Sequence, residues 1–173
     1  MSTSENRPVR TRYAPSPTGP QHIGGIRSAL FGWLYARHHG GQFILRIEDT
    51  DQKRFVEGSV DLIQDAFQWL GMDIDEGPQQ GGKFAPYVQS ERLEHYQKWA
   101  NWLLDNDKAY KCFATPEELE EMREAGTGYD RRYRDLPADK LAELEAEERD
   151  YVIRFKMPLD GKTITEDMIL GTV

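Results

Sequence analysis

The first half of the chain alternates between short apolar runs and longer amphipathic stretches. Residues 9–14 form a short extended run, which a proline-rich segment at 15–20 ends. Two amphipathic helices follow, and a buried strand at 42–47 separates them. Their apolar positions are Ile26, Ala29, Leu30, Trp33 and Leu34 in the first helix, and Val56, Val60, Ile63, Phe67 and Leu70 in the second. With a further short strand at 72–75, this order predicts parallel strands joined by right-handed crossovers, which make an open α/β sheet.

The character of the sequence changes at residues 76–82, which are rich in glycine and glutamine, and we place a domain boundary there. Thr115, Pro116 and Glu118 have the spacing of a capped helix start. The other predicted elements are a helix from about residue 91, a strand at 110–114, a loop at 126–135, a helix at 141–149 and a strand at 151–157. The predicted organisation is a loose leader at 1–8, an α/β half-sheet at 9–77 and an α+β region at 78–173.

The composition excludes several classes of protein. The 173 residues include 22 Lys and Arg against 30 Asp and Glu, a net charge of −8. No run is long and apolar enough to span a membrane, and the first residues lack the apolar core of a secretory signal. The single cysteine, Cys112, excludes a disulfide scaffold and favours a reducing compartment, so a cytoplasmic location is expected. The acidic balance argues against wholesale nonspecific binding of nucleic acid, although a local basic patch remains compatible with it.

The segment that joins the first strand to the first helix is the first candidate site. Ligands of open α/β sheets bind at the carboxyl ends of the strands, and a helix N-terminus favours phosphate. His22 can donate a hydrogen bond to a phosphate oxygen. Gly24 and Gly25 each cost a helix about 1 kcal/mol relative to alanine, but they let a ligand approach the backbone. Taken alone, the segment is explained equally well as a turn and a helix cap.

An acidic segment at the end of the second strand is the second candidate. Glu48, Asp49 and Asp51 place three carboxylates within four residues, and they repel one another unless they bind cations or amines. The alternative is a loop that caps the next helix. That alternative suits Asp49 and Asp51 better than Glu48.

Together the two segments resemble glutamyl-tRNA synthetase of the bacterial type, a class I aminoacyl-tRNA synthetase. The resemblance rests on APSPTGPQHIGG and RIEDTD, and it continues through WLGMDIDEGP, PYVQSER, AYKCFATPEE, VIRFK and LGTV, which is nearly all of the chain after residue 9. Gly25 stands where the first class I signature has its second histidine. The fold it implies is the first half of a Rossmann-like parallel sheet with an inserted α+β domain that binds the acceptor end of tRNA.

The resemblance also implies a reaction and a set of roles. L-Glutamate attacks the α-phosphate of ATP, which carries Mg2+, and the glutamyl group then passes to the 3' end of tRNA(Glu). Arg12 would pair with the side-chain carboxylate of glutamate. Glu48, the backbone of Ala14 and the hydroxyl of Ser16 would hold its amino group. The residues implied to bind ATP are Pro15, Ser16, Pro17, Thr18, Gly19, His22, Gly24 and Gly25, of which His22 and Gly24 are catalytic.

The region after residue 78 offers a basic and aromatic patch in an acidic chain. Its arginines are Arg131, Arg132 and Arg134, and we predict that they contact tRNA. The alternative is a surface loop with incidental arginines. Some relatives hold a structural zinc ion here through a Cys-x-Cys element. Because the single thiolate of Cys112 cannot build a four-ligand site, no zinc is expected and Cys112 is predicted to be a small buried residue.

Synthetases of this type are longer than 173 residues. The second half of their nucleotide-binding fold, the KMSKS loop and the anticodon domains are not in this sequence, so we expect an amino-terminal part that is inactive alone. A monomer without membrane association is expected. Two alternatives remain open: a paralogous ligase that glutamylates a modified tRNA base, and a non-catalytic remnant that binds tRNA. The sequence beyond Val173 would distinguish them.

Overall fold

The first half of the chain forms a parallel strand pair with helices packed against it. The computed structural model describes residues 8–51, 53–167 and 170–173. The elements up to residue 105 are β1 (Arg10–Tyr13), α1 (Ile23–His38), β2 (Gln42–Leu45), α2 (Ser59–Trp69), a 3-10 turn (Ser90–Arg92) and α3 (Leu93–Asp105). Strands β1 and β2 pair in parallel, with Arg10 opposite Gln42 and Tyr13 opposite Leu45. The predicted α/β class and the first two strands and helices are confirmed.

The core of this half lies between the strand pair and the two helices. Its buried members are Ala29, Ala36, Phe43, Leu45, Ile47, Ile63, Phe67 and Met72. Leu30 and Leu34, which the helical spacing groups with the core face, are instead 38% and 48% exposed. Helix α1 meets the strands through Ala29 and Ala36, and such small side chains allow a helix to lie close to a sheet.

The predicted third strand at 72–75 does not form a regular ladder. The N–H of Asp75 donates to the carbonyl of Phe43 at 3.0 Å and the N–H of Leu45 to that of Glu76 at 2.9 Å, which leaves a single parallel bridge. The N–H of Phe43 donates to the side-chain carboxylate of Asp75 at 2.6 Å, so a side chain satisfies a donor that a ladder would use.

Two compact units divide at a later point than the change in sequence character. The first unit ends at His95 and the second begins at Tyr96. Residues 78–95 belong to the first unit because their backbone reaches β2 and its continuation. The N–H of Ile47 donates to the carbonyl of Tyr87, and the N–H of Gln89 to that of Ile47, both at 2.9 Å. Assigning 78–173 as an inserted domain stays a prediction.

The second unit is built on an antiparallel pair. Its elements after α3 are β3 (Ala109–Cys112), α4 (Pro116–Glu124), α5 (Ala138–Ala146), β4 (Val152–Phe155), β5 (Glu166–Asp167) and β6 (Gly171–Thr172). Strands β3 and β4 pair with Cys112 opposite Val152. The predicted capping box is present, since Thr115 accepts from the N–H of Glu118 and Glu118 accepts in return from Thr115. Among the described helices, none is long and apolar enough to cross a membrane.

Candidate active site

The proline-rich loop after β1 is held in place mainly by its own carbonyl groups. The carbonyl of Pro15 accepts from the N–H of Glu48 at 2.9 Å. The carbonyl of Pro17 accepts from the N–H of Val56 at 3.0 Å and from the hydroxyl of Ser59 at 2.9 Å. The loop is therefore fixed to the end of β2 and to the start of α2. Buried and exposed positions alternate along it: Pro15, Pro17 and Gly19 are buried, whereas Ser16 and Thr18 are exposed.

His22 is the N-cap of α1, and this cap is compatible with ligand binding. Its Nδ1 atom accepts a hydrogen bond from the N–H of Gly24 at 3.1 Å. An accepting Nδ1 places the proton of a neutral imidazole on Nε2. Nε2 has no partner among the described residues, and the ring is exposed. One side chain thus caps the helix and keeps a donor for an anion at the helix N-terminus.

Different physical constraints act on the two glycines at the start of α1, Gly24 and Gly25. At Gly25, a Cβ atom would lie 2.5 Å from the hydroxyl oxygen of Tyr13, so a side chain there requires this hydroxyl to move. Tyr13 cannot yield easily, because its hydroxyl is bonded to Gln21 at 2.6 Å and its ring packs on Phe67. At Gly24 the nearest atom would be His22 Nδ1 at 3.2 Å, and the backbone there is exposed.

The two arginines of β1 lie on one face of the strand but differ in their partners. Arg10 donates to both carboxylate oxygens of Glu76, at 2.6 and 3.0 Å, and Tyr87 bonds to the same carboxylate. The Arg10 guanidinium holds the pKa of Glu76 below its usual range, against the opposing effect of burial. Arg12 is exposed and has no hydrogen bond or ion pair within the described ranges. Ala14 follows at the end of the strand and is half-buried.

The three carboxylates after β2 are used differently. Asp49 is buried and accepts from the N–H of Ser90 at 2.9 Å, so it ties the loop to the 3-10 turn. Asp51 is paired with Arg54 at 2.6 Å, a contact that lowers the pKa of Asp51. Both therefore order local structure, but neither caps α2 as the capping alternative expected, because the N-cap of that helix is Gly58 without a side-chain hydrogen bond.

Glu48 is half-buried and has two side-chain neighbours. Arg46 donates to its Oε1 through Nε at 2.7 Å and Nη2 at 2.6 Å. The side-chain amide of Gln89, with its nitrogen turned toward the carboxylate, donates to Oε2. Sequence reasoning gave no role to Arg46 or Gln89. For Arg46 the signal was present, because residues 46 and 48 share a face where an extended chain leaves β2. For Gln89, 41 positions further on, no local pattern could reveal the contact.

The predicted basic patch of the second unit is only partly available. Arg132 is paired with Asp130 at 2.8 Å and with Glu118 at 3.2 Å. Arg131 is exposed, with a positive φ of 62°. Arg131 and Arg134 line an open groove of about 400 Å³, whereas Arg132 does not. The other lining residues are Tyr110, Tyr129, Arg154, Phe155 and Met157, and the guanidinium of Arg154 lies 4.1 Å from the centre of the Tyr129 ring.

Cys112 is buried beside the same groove. Its Sγ atom lies 3.1 Å from the hydroxyl oxygen of Tyr129, and burial together with this contact raises the pKa of Tyr129. In the part of the chain that the structure describes, no three His, Cys, Asp or Glu side chains gather closely enough to hold a metal ion.

The relatives found by comparison with known proteins agree with one another. The family model described as "tRNA synthetases class I (E and Q), catalytic domain" matches residues 8–173. The chain is 54% identical over 171 residues to the glutamate–tRNA ligase of Natranaerobius thermophilus, covering 95% of this chain and 35% of the relative. It is 52% identical over 180 residues to that of Chloroflexus aurantiacus, covering 99% and 36%.

Solved structures agree with these relatives. A crystal structure of a glutamate tRNA ligase from Elizabethkingia meningosepticum, in complex with its amino acid, superposes with a TM-score of 0.85 at 47% identity. The glutamate-tRNA synthetase of Elizabethkingia anophelis gives 0.86 at 47% identity. Each covers 96% of this chain and 36% of the solved one. The chain spans about a third of the length of the relatives that it matches.

Proposed function

Because this chain belongs to the class I tRNA synthetase family for glutamate and glutamine, we propose that it forms one wall of the active site of a glutamate–tRNA ligase. In the first step a carboxylate oxygen of glutamate attacks the α-phosphorus of ATP, and pyrophosphate leaves. In the second step the glutamyl group passes from the adenylate to a ribose hydroxyl at the 3' end of tRNA(Glu), and AMP leaves. The protein contributes position and charge rather than a covalent intermediate.

The exposed, unneutralised guanidinium of Arg12 is the observation that carries the proposal. Its neighbour Arg10 is already bound to Glu76, so Arg12 is the β1 cation left for a ligand within the described residues. A guanidinium matches the side-chain carboxylate of glutamate. Glu48 supplies an anion for the ammonium, and Ala14 and Ser16 supply a backbone carbonyl and a hydroxyl near the end of β1.

ATP is assigned to the start of α1. The Nε2–H of His22 and the exposed backbone at Gly24 favour phosphate at this helix N-terminus. The loop residues assigned with them are Pro15, Ser16, Pro17, Thr18, Gly19 and Gly25. Mg2+ enters with ATP, and we assign no zinc to the protein.

The second unit is assigned to tRNA. Arg131 and Arg134 face a groove that also offers aromatic rings, a combination that suits phosphates and an unstacked base. Arg132 belongs to the same loop, but its ion pairs with Asp130 and Glu118 must exchange before it can bind phosphate. We expect the protein to act as a monomer in the cytoplasm.

Transfer of labelled glutamate to tRNA by the complete protein tests the proposal. Incorporation should require ATP and tRNA(Glu), and tRNA that lacks its terminal adenosine should accept nothing. Equal incorporation into the shortened tRNA would instead favour the paralogous ligase that modifies a base. No incorporation into either would support a remnant that only binds tRNA.

A further inference from the structure

The carboxylate proposed to bind the amino group is itself held from two sides. Arg46 places Nε and Nη2 on Oε1 of Glu48, at 2.7 and 2.6 Å. The amide of Gln89 lies against Oε2 and donates to it with its nitrogen, rather than its oxygen, facing the carboxylate. The side chains of Arg46 and Glu48 are only 22% and 20% exposed. A glutamate side chain otherwise turns broadly about its last torsion. These contacts therefore fix the plane of the Glu48 carboxylate.

The backbone around Gln89 is fixed by contacts independent of Glu48. The N–H of Gln89 donates to the carbonyl of Ile47 at 2.9 Å, within a parallel bridge between Ile47 and Val88. The next residue, Ser90, donates its N–H to Asp49 at 2.9 Å. On the other side, Tyr87 bonds to Glu76, which Arg10 holds. Gln89 is thus presented to Glu48 by an anchored segment.

We propose that Gln89 is a positioning residue for substrate recognition: its amide, with Arg46, orients Glu48 so that the remaining lone pairs of the carboxylate meet the ammonium of the amino acid. An ionised carboxylate has about four lone-pair sites, so three donated hydrogen bonds leave room for another donor. The two supports differ in charge. The cation of Arg46 opposes the incoming ammonium, whereas the neutral amide of Gln89 orients the carboxylate without that penalty. The inference rests on the proposed function.

The test compares two ligands that differ only in the amino group. Glutarate has the carbon chain and both carboxylates of glutamate but no ammonium. In the complete ligase, with tRNA present, Gln89→Met keeps the length of the side chain and removes its donor. It should raise the glutamate KM in ATP–pyrophosphate exchange on the order of tenfold, because a hydrogen bond to a charged group is lost. The inhibition constant of glutarate and the KM of ATP should stay unchanged.

Two further variants test whether the change in the glutamate KM comes from the lost hydrogen bond of Gln89. Gln89→Asn keeps the amide but shortens its reach by one methylene, and it should shift the glutamate KM in the same direction. Gln68→Met makes the matched change at an exposed glutamine of α2 in the same unit. It should change neither the glutamate KM nor the inhibition constant of glutarate. Thermal unfolding of each variant, compared with the parent, reports whether the fold is kept.

The outcomes separate this inference from the proposed function. A parent enzyme that shows no glutamate-dependent exchange overturns the proposed function and this inference with it. An active parent whose glutamate KM stays within about twofold in both Gln89 variants overturns the inference alone. So does a parallel rise of the glutarate inhibition constant, because that indicates a general disturbance of the site.

Discussion

Arg10 and Arg12 lie two residues apart on β1, yet the protein neutralises only the first. Arg10 is tied to Glu76, whose side chain is 6% exposed, and it also donates to Gln42. Arg12 faces solvent with no protein anion bound to it in the described ranges. A single sequence pattern thus gives one structural and one available arginine, and a carboxylate ligand is the natural partner for the second.

Replacing Arg12 should therefore affect the use of glutamate specifically. In the complete enzyme, Arg12→Leu should raise the glutamate KM and lower kcat/KM by a loss equivalent to ~2–5 kcal/mol, because one member of a charged, hydrogen-bonded pair is removed. The KM of ATP should change little. Lys98→Leu, which removes an exposed cation of α3, is the control. Steady-state exchange kinetics with unchanged glutamate use would contradict the assignment of Arg12.

The acidic segment allows a ranking of its carboxylates. Glu48→Gln keeps the size of the side chain and removes the charge proposed to meet the ammonium. It should lower kcat/KM for glutamate at least about tenfold more than Asp51→Asn, because Asp51 is engaged with Arg54. Asp49→Asn should mainly lower the melting temperature, since buried Asp49 holds the N–H of Ser90. The reverse order of Glu48 and Asp51 in the same assay would show that the roles are exchanged.

The start of α1 is fitted to β1 by the contact between Gly25 and Tyr13. Gly25→Ala should destabilise the protein by ~1–3 kcal/mol, because its Cβ would meet a hydroxyl that is held by Gln21. Gly24→Ala should cost less, because it meets only the edge of His22. Denaturant unfolding measures both values.

A second substitution can separate this clash from other causes. Tyr13→Phe removes the hydroxyl that a Cβ at Gly25 would meet. The Gly25→Ala/Tyr13→Phe double variant should therefore lose less stability than the sum of its single changes. Additive losses would argue against the clash.

The salt bridge between β1 and the segment that follows residue 75 should make stability depend on pH. Arg10 lowers the pKa of Glu76 below its ordinary value of 4.5. A carboxyl group whose pKa is lower in the folded state stabilises the fold above its unfolded pKa, and this contribution is lost as the pH falls through the folded value. The melting temperature of the parent should exceed that of Glu76→Gln at pH 7, and the difference should shrink below pH 4.5. A difference that stays constant down to pH 3 would contradict this account.

The elements that depend on residues close together in the sequence were predicted from local patterns. The capping box of Thr115 and Glu118, and the helix α1, follow from residues within a few positions of one another. The errors came from distant contacts. Leu30 and Leu34 fit the helical period, but the alanines of α1 face the strands. The third strand was wrong because the Asp75 side chain takes the N–H of Phe43.

In the candidate site, too, local features were predictable from the sequence and distant contacts were not. The positions of Arg12 in the first strand and of His22 and Glu48 after short strands were readable as a pattern, and the resemblance gave them roles. Their supports were not readable, because Gln89 reaches Glu48 only through the pairing of residues 87–89 with Ile47. The later division between the compact units has the same cause.

The chain as a whole forms two units with different chemistry. The first carries Arg12 in β1, Glu48 after β2 and His22 at the start of α1, and the second has a basic, aromatic groove beside Cys112. The relatives are about three times as long as this chain. The proposed reaction also needs contacts on the other side of the triphosphate, and the KMSKS loop that the resemblance implies for that role is not among these 173 residues.

Glutamate-dependent ATP–pyrophosphate exchange, measured with tRNA present, most directly tests the assignment of the adenylation site to the start of α1. The complete protein should exchange with glutamate far better than with glutamine or aspartate, and His22→Ala should reduce the rate by about 10² or more, because a small misplacement at a reacting phosphate already costs that much. The 173 residues alone should give no exchange. Exchange that persists in His22→Ala, or that does not depend on glutamate, would contradict the placement of the adenylation site at the start of α1.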